Sequence, residues 1–454
     1  MSQTIPMLSD PYRNERAARG GTAKSPHSAP AIRAGVVAAN TIAFALCFAV
    51  WVMFGPSVRT ICAELRISPT LANLIKAIPI LIGSTCRIPV GILTDRLGAR
   101  LMFPLIMLIG AGATLALSFA ATLTAIIIGG LVVGLVGTTF IVGAQSTSSW
   151  TAKEKQGFAL GIFGAGNVGT AITTFGMPLL LVAVGWRTAL QTYAGVLVIA
   201  AIAYWLVMRN APRKGAAPTL AGLLAPLKDL RAWKFGLYYM ATFGVFVAAT
   251  LTLSDIYIDG YGLAATTAGL LATTFTFTAS LSRIPGGWLA DRLGPGIVTR
   301  TSLVVTAIGL ALVIVGLPLW ATVLSVFVAA VAMGIGMAGT FKYIPEHYPT
   351  NVGAVGGIVG ALGGVGGFFL PLLSGVIKTA AGSVYLQVAP LAALAAVALG
   401  VLVLSERRSR QVTMPIFAGT NGGWPAIALP VDESIDDIEA EELGEEEELV
   451  ATAQ

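Results

Sequence analysis

The sequence predicts an all-α membrane protein with twelve transmembrane helices, arranged as two pseudo-symmetric six-helix bundles. Three observations lead to this prediction: the composition, a series of long apolar stretches, and an internal repeat. Hydrophobic residues make up 56% of the 454 residues, charged residues make up 11%, and the mean hydropathy is +0.82. Because soluble proteins carry about 25% charged residues, this composition excludes an ordinary soluble domain.

The apolar stretches have the length that a transmembrane helix needs, which is about 20 residues. A transmembrane β-barrel is excluded, because its strands are short and alternate between apolar and polar residues. Twelve stretches are long enough: 34–55, 70–93, 101–121, 123–146, 157–182, 187–208, 234–256, 264–289, 298–317, 319–342, 353–377 and 383–404.

The distribution of basic residues predicts the orientation. Placing both termini on one side puts 21 of the 28 Lys and Arg residues on that side, four on the other side and three within helices. This bias predicts a multi-pass protein of the cytoplasmic (plasma) membrane with both termini in the cytoplasm. The expected order is an N-terminal tail, a first bundle, a cytoplasmic linker, a second bundle and a C-terminal tail, at residues 1–33, 34–208, 209–233, 234–404 and 405–454.

Both tails are expected to be disordered. Between Asp432 and Glu448 the C-terminal tail carries 11 acidic residues and no basic residue, which is typical of a solvated segment, although a partner-binding role remains open. The basic remainder of the chain reflects membrane topology and not nucleic-acid binding. Cys47, Cys62 and Cys86 lack metal-ligand spacing, so we expect no metal, no cofactor and no disulfide framework.

The two halves of the chain repeat each other at an offset of 196 residues. Parallel six-helix repeats place a substrate site near the middle of the membrane, between the halves, and suit transport by alternating access. The offset superposes two separated blocks, among them Arg87 on Arg283, Asp95 on Asp291, Arg96 on Arg292, Gly157 on Gly353, and Gly164 on Gly360.

One repeated motif follows the second and the eighth predicted helices. The stretch Gly91-Ile-Leu-Thr-Asp95-Arg96-Leu-Gly98 resembles the cytoplasmic signature of the major facilitator superfamily, and a second copy runs from Gly287 to Gly294. A glycine here permits close helix contact, and an aspartate can accept hydrogen bonds from a neighbouring helix N-terminus. A solvated charged turn would explain one copy but not two. The candidate conformational latch therefore comprises Gly91, Asp95, Arg96, Asp291 and Arg292.

Two arginines lie deep within apolar stretches, where each costs about 2.5–3.5 kcal/mol on insertion scales. Arg87 precedes Asp95 by eight residues, and Arg283 precedes Asp291 by the same number, which is about 12 Å along a helix. A structural role would pair each arginine with a buried carboxylate, but no Asp or Glu lies in the middle of a predicted helix. The planar guanidinium forks therefore indicate a shared site for a small anion.

The fifth predicted helix is rich in glycine. Gly164, Gly166 and Gly169 match the pattern GxGxxG, but without a preceding strand and a βαβ unit this match does not indicate nucleotide binding. Helix packing explains many of these glycines. Asn167 is the polar residue among them, and its amide could donate a hydrogen bond to an anion.

These features together resemble the nitrate/nitrite porter family of the major facilitator superfamily, over roughly residues 34–404. The paired glycine-rich helices and the single arginines of helices two and eight carry the resemblance. Further support comes from Phe140 and from the stretches 153–157, 239–246 and 339–345. The resemblance implies that nitrate or nitrite binds between Arg87 and Arg283. It also implies a polar contact and aromatic walls, and the candidate site comprises Arg87, Arg283, Asn167, Tyr239, Phe140, Phe243, Gly164 and Gly360.

The expected function is transport of nitrate and nitrite by alternating access. An empty, desolvated arginine pair resists closure, which favours nitrate/nitrite exchange over proton-coupled symport. A carrier for another small anion and a nitrate sensor signalling through the acidic tail remain open. An enzyme is not expected, because the apolar stretches hold no nucleophile–base pair, paired carboxylates or metal cluster. We expect a monomer whose partners are the anions and the lipid bilayer.

Overall fold

The computed structural model describes residues 30–211 and 220–412, and these residues form helices without any strand. The predicted tails, apart from their helical ends, and part of the predicted linker lie outside the described residues. Twelve helices follow in chain order: α1 (Arg33–Glu64), α2 (Pro69–Thr85 and Arg87–Leu97), α3 (Ala99–Leu117), α4 (Leu123–Trp150), α5 (156–184), α6 (186–207), α7 (Leu230–Gly260), α8 (Ala265–Leu293), α9 (Pro295–Ile314), α10 (Leu319–His347), α11 (Val352–Ala381) and α12 (Tyr385–Arg407).

Length and apolar composition identify most of these helices as membrane spans. Nine helices of the described ranges pass both criteria, or ten when the two parts of α2, bent by 44°, count as one span. The stretch Lys153–Val207 divides into α5 and α6 at Gly185, where φ is 75°. The remaining helix, α8, is 29 residues long, but many threonines, two serines and Arg283 lower its hydropathy. The predicted twelve helices are therefore all present.

The two halves repeat the same helix pairing. α3 packs against α6 in the first half, and α9 packs against α12 in the second half. Between the halves α2 packs against α11 and α5 packs against α8. Exchanging the halves converts each of these pairs into the other, so the arginine-bearing helices α2 and α8 each contact a glycine-rich helix of the opposite half.

Two equivalent glycines end α2 and α8. Gly98 and Gly294 each have a φ of 82°, with ψ of 157° and 149° respectively. Side chains with a Cβ rarely adopt this conformation, whereas glycine adopts it readily. Each glycine ends its helix and allows the next helix to begin at the following residue, Ala99 or Pro295. The repeated glycine of the signature is thus required by the backbone.

Candidate anion-binding site

Arg87 and Arg283 come together in the interior, although 196 residues separate them. Their exposed fractions are 0% and 1%. The Cζ atoms lie 5.5 Å and 5.4 Å from the centroid of the same ring, that of Phe140 on α4. Within the described residues neither guanidinium forms an ion pair with a carboxylate. The site is therefore cationic and carries no counter-ion from the described part of the chain.

Arg87 is held by backbone oxygens of two helices. Its Nη1 donates to the oxygen of Gly360 on α11 at 2.7 Å, and its Nη2 donates to the oxygen of Gly137 on α4 at 3.3 Å. Gly137 belongs to a short 3-10 segment, Leu135–Thr138, that interrupts α4. The Nε of Arg87 is buried and has no hydrogen-bond partner.

Arg283 has fewer partners. Its Nη2 donates to the hydroxyl of Tyr239 on α7 at 3.3 Å, whereas its Nε and Nη1 are buried and unpartnered. Buried donors without acceptors are destabilising by about 1–3 kcal/mol each, and by more when charged. An oxyanion supplies several acceptors at once, so this donor set fits a small oxyanion.

Asn167 adds a neutral polar group. Its side chain is 1% exposed, and both its Nδ2 and its Oδ1 lack a partner. Asn167 ends a 3-10 segment, Ala165–Asn167, directly after the glycine-rich start of α5. It lies three residues after Gly164, whose neighbour is Arg283, and residues at this spacing share a helix face.

Aromatic rings line the arginine pair. Tyr239 stacks on Phe140 at 6.2 Å and on Phe243 at 5.1 Å, with interplanar angles of 13° and 6°. A π-helical turn, Met240–Gly244, lies at this point of α7, and such turns are frequent at functional sites. The Cζ of Arg87 lies 5.7 Å from the centroid of Phe243, within the range of a cation–π contact.

The sequence-based site omitted two aromatic residues. Phe341 on α10 makes edge contacts with Phe140 at 4.8 Å and with Tyr239 at 4.6 Å. Trp51 on α1 lies 5.8 Å from the Cζ of Arg87 and donates from its Nε1 to the oxygen of Pro79 at 2.8 Å. Phe341 belongs to one of the stretches that carried the family resemblance, which was a usable signal. No local pattern distinguishes Trp51 from a packing residue.

The glycines act by making room. A Cβ on Gly360 would lie 3.0 Å from the Cδ of Arg87, and a Cβ on Gly164 would lie 2.7 Å from the Cζ of Arg283. The absence of a side chain at both positions lets the arginines lie flat against the neighbouring helix. Gly164 and Gly360 thus position the cations.

The two signature aspartates bind helix N-termini of the opposite half. Asp95 accepts from the amides of Gly353 and Ala354 at 2.9 Å and 2.8 Å. We name these contacts the first latch. A Cβ on Gly91 of the same motif would collide with the oxygen of Gly353. Carboxylates are stabilised at this end of a helix by its dipole.

The second latch is equivalent by the repeat. Asp291 accepts from the amides of Gly157 and Phe158 at 2.8 Å and 2.7 Å. Unlike the first latch, it includes a lysine that the sequence-based latch omitted. Lys342 on α10 lies 2.9 Å from the Oδ1 of Asp291 and donates to the oxygen of Lys153 at 2.6 Å. A lysine within the apolar run of α10 was the signal that could have identified it.

The two arginines of the predicted latch lie at the surface. Arg96 and Arg292 are exposed, and the Cζ of Arg292 lies 4.1 Å above the ring of Trp288 on its own helix. Both latches lie at the end of the molecule that carries the signature loops, which we call the loop side. They join the two halves at this end, and we call this conformation closed.

Comparison with known proteins identifies the family. The sequence model described as the Major Facilitator Superfamily matches residues 41–267 and 235–424. A probable nitrate/nitrite antiporter of Thermus thermophilus, NarK1, is 39% identical over 368 residues, which cover 74% of this chain and 83% of that protein. The nitrite extrusion protein of Bacillus subtilis (strain 168) is 35% identical over 339 residues, covering 74% and 85% of the respective chains.

Solved structures share the fold at low sequence identity. The human organic anion transporter MFSD10 matches with a TM-score of 0.66 at 15% identity, covering 82% of this chain and 100% of that chain. The transporter FucP in its outward conformation matches with a TM-score of 0.61 at 16% identity, covering 81% and 99%. The fold class predicted from the sequence, twelve helices in two six-helix bundles, is confirmed.

Proposed function

The chain belongs to the nitrate/nitrite porter family of the major facilitator superfamily, and we propose that it exchanges nitrate for nitrite by alternating access. One observation carries this proposal. Two fully buried arginines, without a carboxylate partner among the described residues, meet at the ring of Phe140. Family and fold are those of transporters, and the protein acts as a carrier and not as an enzyme.

The donor set suits a small planar oxyanion. Three buried guanidinium nitrogens have no acceptor: Nε of Arg87, and Nε and Nη1 of Arg283. The side-chain amide of Asn167 also lacks a hydrogen-bond partner. Guanidinium forks bind planar oxyanions through paired hydrogen bonds. The rings of Phe140, Tyr239 and Phe243 enclose the site with flat apolar faces, which excludes water and disfavours bulky anions. The names of the relatives, a probable nitrate/nitrite antiporter and a nitrite extrusion protein, support the same substrates.

Alternating access requires the two bundles to rock about the central site. We assign residues 34–208 and 234–404 to these two bundles. We place the protein in the plasma membrane, with the loop side and both termini in the cytoplasm. Opening toward the cytoplasm then breaks four amide-to-carboxylate hydrogen bonds at Asp95 and Asp291. Each carrier completes this cycle as a monomer in the lipid bilayer.

Exchange follows from the charge of the site. Two cations that face one desolvated space repel each other, and removing the bound anion leaves both uncompensated. The loaded carrier therefore changes conformation more readily than the empty one. Net movement in one direction requires the empty carrier to return, whereas exchange does not. The arginine pair thus favours nitrate entering against nitrite leaving.

Nitrate uptake into proteoliposomes that hold purified protein tests this proposal. The vesicles are either preloaded with nitrite or left empty under an inward proton gradient. We expect uptake only with internal nitrite. Uptake into empty vesicles driven by the proton gradient would make the protein a symporter and overturn the exchange argument. A carrier that moves neither nitrate nor nitrite in either arrangement would contradict the substrate assignment.

A further inference from the structure

Lys342 is a third buried cation, outside the anion site described above. It is 5% exposed, and its neighbour in sequence, Phe341, contacts the site through Phe140 and Tyr239. The ammonium lies 2.9 Å from the Oδ1 of Asp291 and donates to the oxygen of Lys153 at 2.6 Å. One short segment of α10 therefore contacts both the anion site and the second latch.

The two latches differ in this respect. Within the described residues Asp95 has no ion-pair partner, whereas Asp291 has Lys342. The amide contacts are equivalent, since Asp95 and Asp291 each accept two backbone amides from a helix N-terminus of the opposite half. In the first latch, and within the described part of the chain, neutral groups alone surround the carboxylate in the closed state, namely these amides and the side chain of Gln145. A cation is therefore not required to hold such a carboxylate closed, and the role of Lys342 is expected in another state.

Opening the loop side separates these contacts unequally. Lys342 and Asp291 belong to the same bundle, so a rocking motion leaves their ion pair intact. Gly157 and Phe158, the amide donors, belong to the other bundle, and so does Lys153. Asp291 therefore loses its amides on opening but keeps Lys342. Without the lysine, a carboxylate about 12 Å along the helix from Arg283 would be left uncompensated in the mouth through which the anion passes.

We propose that Lys342 is a positioning residue for transport: it keeps Asp291 paired while the loop side is open, so that the anion does not pass an unpaired carboxylate. This inference rests on the proposed anion transport. In the closed state the same lysine also joins the two bundles through the oxygen of Lys153. Lys342 acts on the anion through Asp291 and does not contact the anion site itself.

The test measures nitrate/nitrite exchange in proteoliposomes for Lys342→Met, Asp291→Asn and the double variant. We expect Lys342→Met to lower the maximal exchange rate by about tenfold, which corresponds to about 1.4 kcal/mol of repulsion between the unpaired carboxylate and the passing anion. The half-saturation constant should change little, because the arginine pair is intact. Raising the ionic strength should restore part of the rate, because salt screens the exposed carboxylate. The double variant should exchange faster than Lys342→Met.

Matched controls separate this role from a structural one. Lys155→Met removes an exposed lysine from the same loop region and should leave both the rate and its salt dependence unchanged. Lys342→Arg should retain most of the activity. Asp95→Asn combined with Lys342→Met should show no recovery, because Asp95 is not paired with Lys342. A Lys342→Met rate that equals the wild-type rate, or that neither salt nor Asp291→Asn restores, overturns the inference.

Two further outcomes are decisive. If Lys342→Met does not fold, Asp291→Asn is compared with the double variant. Asp291→Asn leaves the buried Lys342 without its partner. The inference therefore requires the double variant to exchange at least as fast as Asp291→Asn, and a slower double variant contradicts it. If the wild-type protein does not exchange nitrate and nitrite, the proposed function is refuted. If the wild-type protein exchanges them but the variants do not behave as expected, only the inference about Lys342 fails.

Discussion

The guanidinium of Arg87 donates a 2.7 Å hydrogen bond to the backbone oxygen of Gly360, which lies in the opposite half of the molecule. Its counterpart Arg283 has no such bond to the equivalent glycine, Gly164, and instead donates to Tyr239 of its own half. The repeat therefore does not make the two arginines equivalent. Arg87 joins the bundles, whereas Arg283 keeps two nitrogens available for an anion.

Lysine substitution should separate these two roles. Arg283→Lys removes the fork that holds the unpartnered Nε and Nη1, so stabilisation of the purified protein by nitrate in thermal unfolding should disappear. Arg87→Lys retains a donor that can reach Gly360, so some nitrate stabilisation should persist. Exchange should fall in both variants by about 10- to 100-fold, the range of one charge-assisted hydrogen bond. Arg100→Lys, an exposed arginine over Trp205, is the control. If both variants lost nitrate stabilisation equally, the two arginines would not have the separate roles described above.

Alanine at Gly164 should displace Arg283. Its Cβ would lie 2.7 Å from the Cζ of Arg283, closer than real Cβ contacts occur, so the guanidinium must move away from its position beside the anion. We expect the half-saturation constant for nitrate to rise by about tenfold or more. Gly176→Ala on the same helix, where a Cβ would meet nothing within 4 Å, should transport normally. An unchanged half-saturation constant in Gly164→Ala would show that Arg283 tolerates displacement.

Phe140→Leu should weaken anion binding, because the ring holds both guanidinium groups in position. The ring lies near both guanidinium groups, and each cation–π contact is worth about 0.5–1 kcal/mol, or about 2 kcal/mol when desolvated. Losing both contacts should raise the dissociation constant for nitrate about tenfold, measured by isothermal titration in detergent. Phe175→Leu, on a ring that is 58% exposed, should bind nitrate normally. Wild-type affinity in Phe140→Leu would indicate that the ring only fills space.

Alanine at the signature glycines should destabilise the fold without touching the site. Gly98 and Gly294 share a φ of 82° with an extended ψ, a conformation that a residue with a Cβ adopts at a cost of about 1–3 kcal/mol. A Cβ at Gly98 would in addition lie 2.6 Å from the Cγ of Asn210, whereas a Cβ at Gly294 would meet nothing within 4 Å. The thermal midpoint should therefore fall in both variants and fall further in Gly98→Ala. The reverse order would contradict this explanation.

Much of the fold and part of the site could be predicted from the sequence. The predicted spans 187–208 and 319–342 lie within one residue of the observed start of α6 and α10, because a membrane helix is defined locally by the length of its apolar run. α8 does not meet the combined length and hydropathy criteria, yet its apolar run predicted a span there, at 264–289. Both arginines were found in the same way, since a charge within an apolar run is visible without any structure.

The sequence by itself determined the fold class, the two-fold repeat and the pair of buried cations, because bilayer thickness and hydropathy act on each segment separately. The tertiary structure alone decided which groups meet across the bundles. The carbonyl that binds Arg87 lies 273 residues away in the chain, and an amide oxygen of one glycine among many has no distinguishing local pattern. Trp51 was missed for the same reason, because whether a side chain on a membrane helix faces lipid, core, site or latch depends on which helix packs against it. Phe341 and Lys342 did have a signal in the sequence, but only the packing of the helices shows which groups they contact.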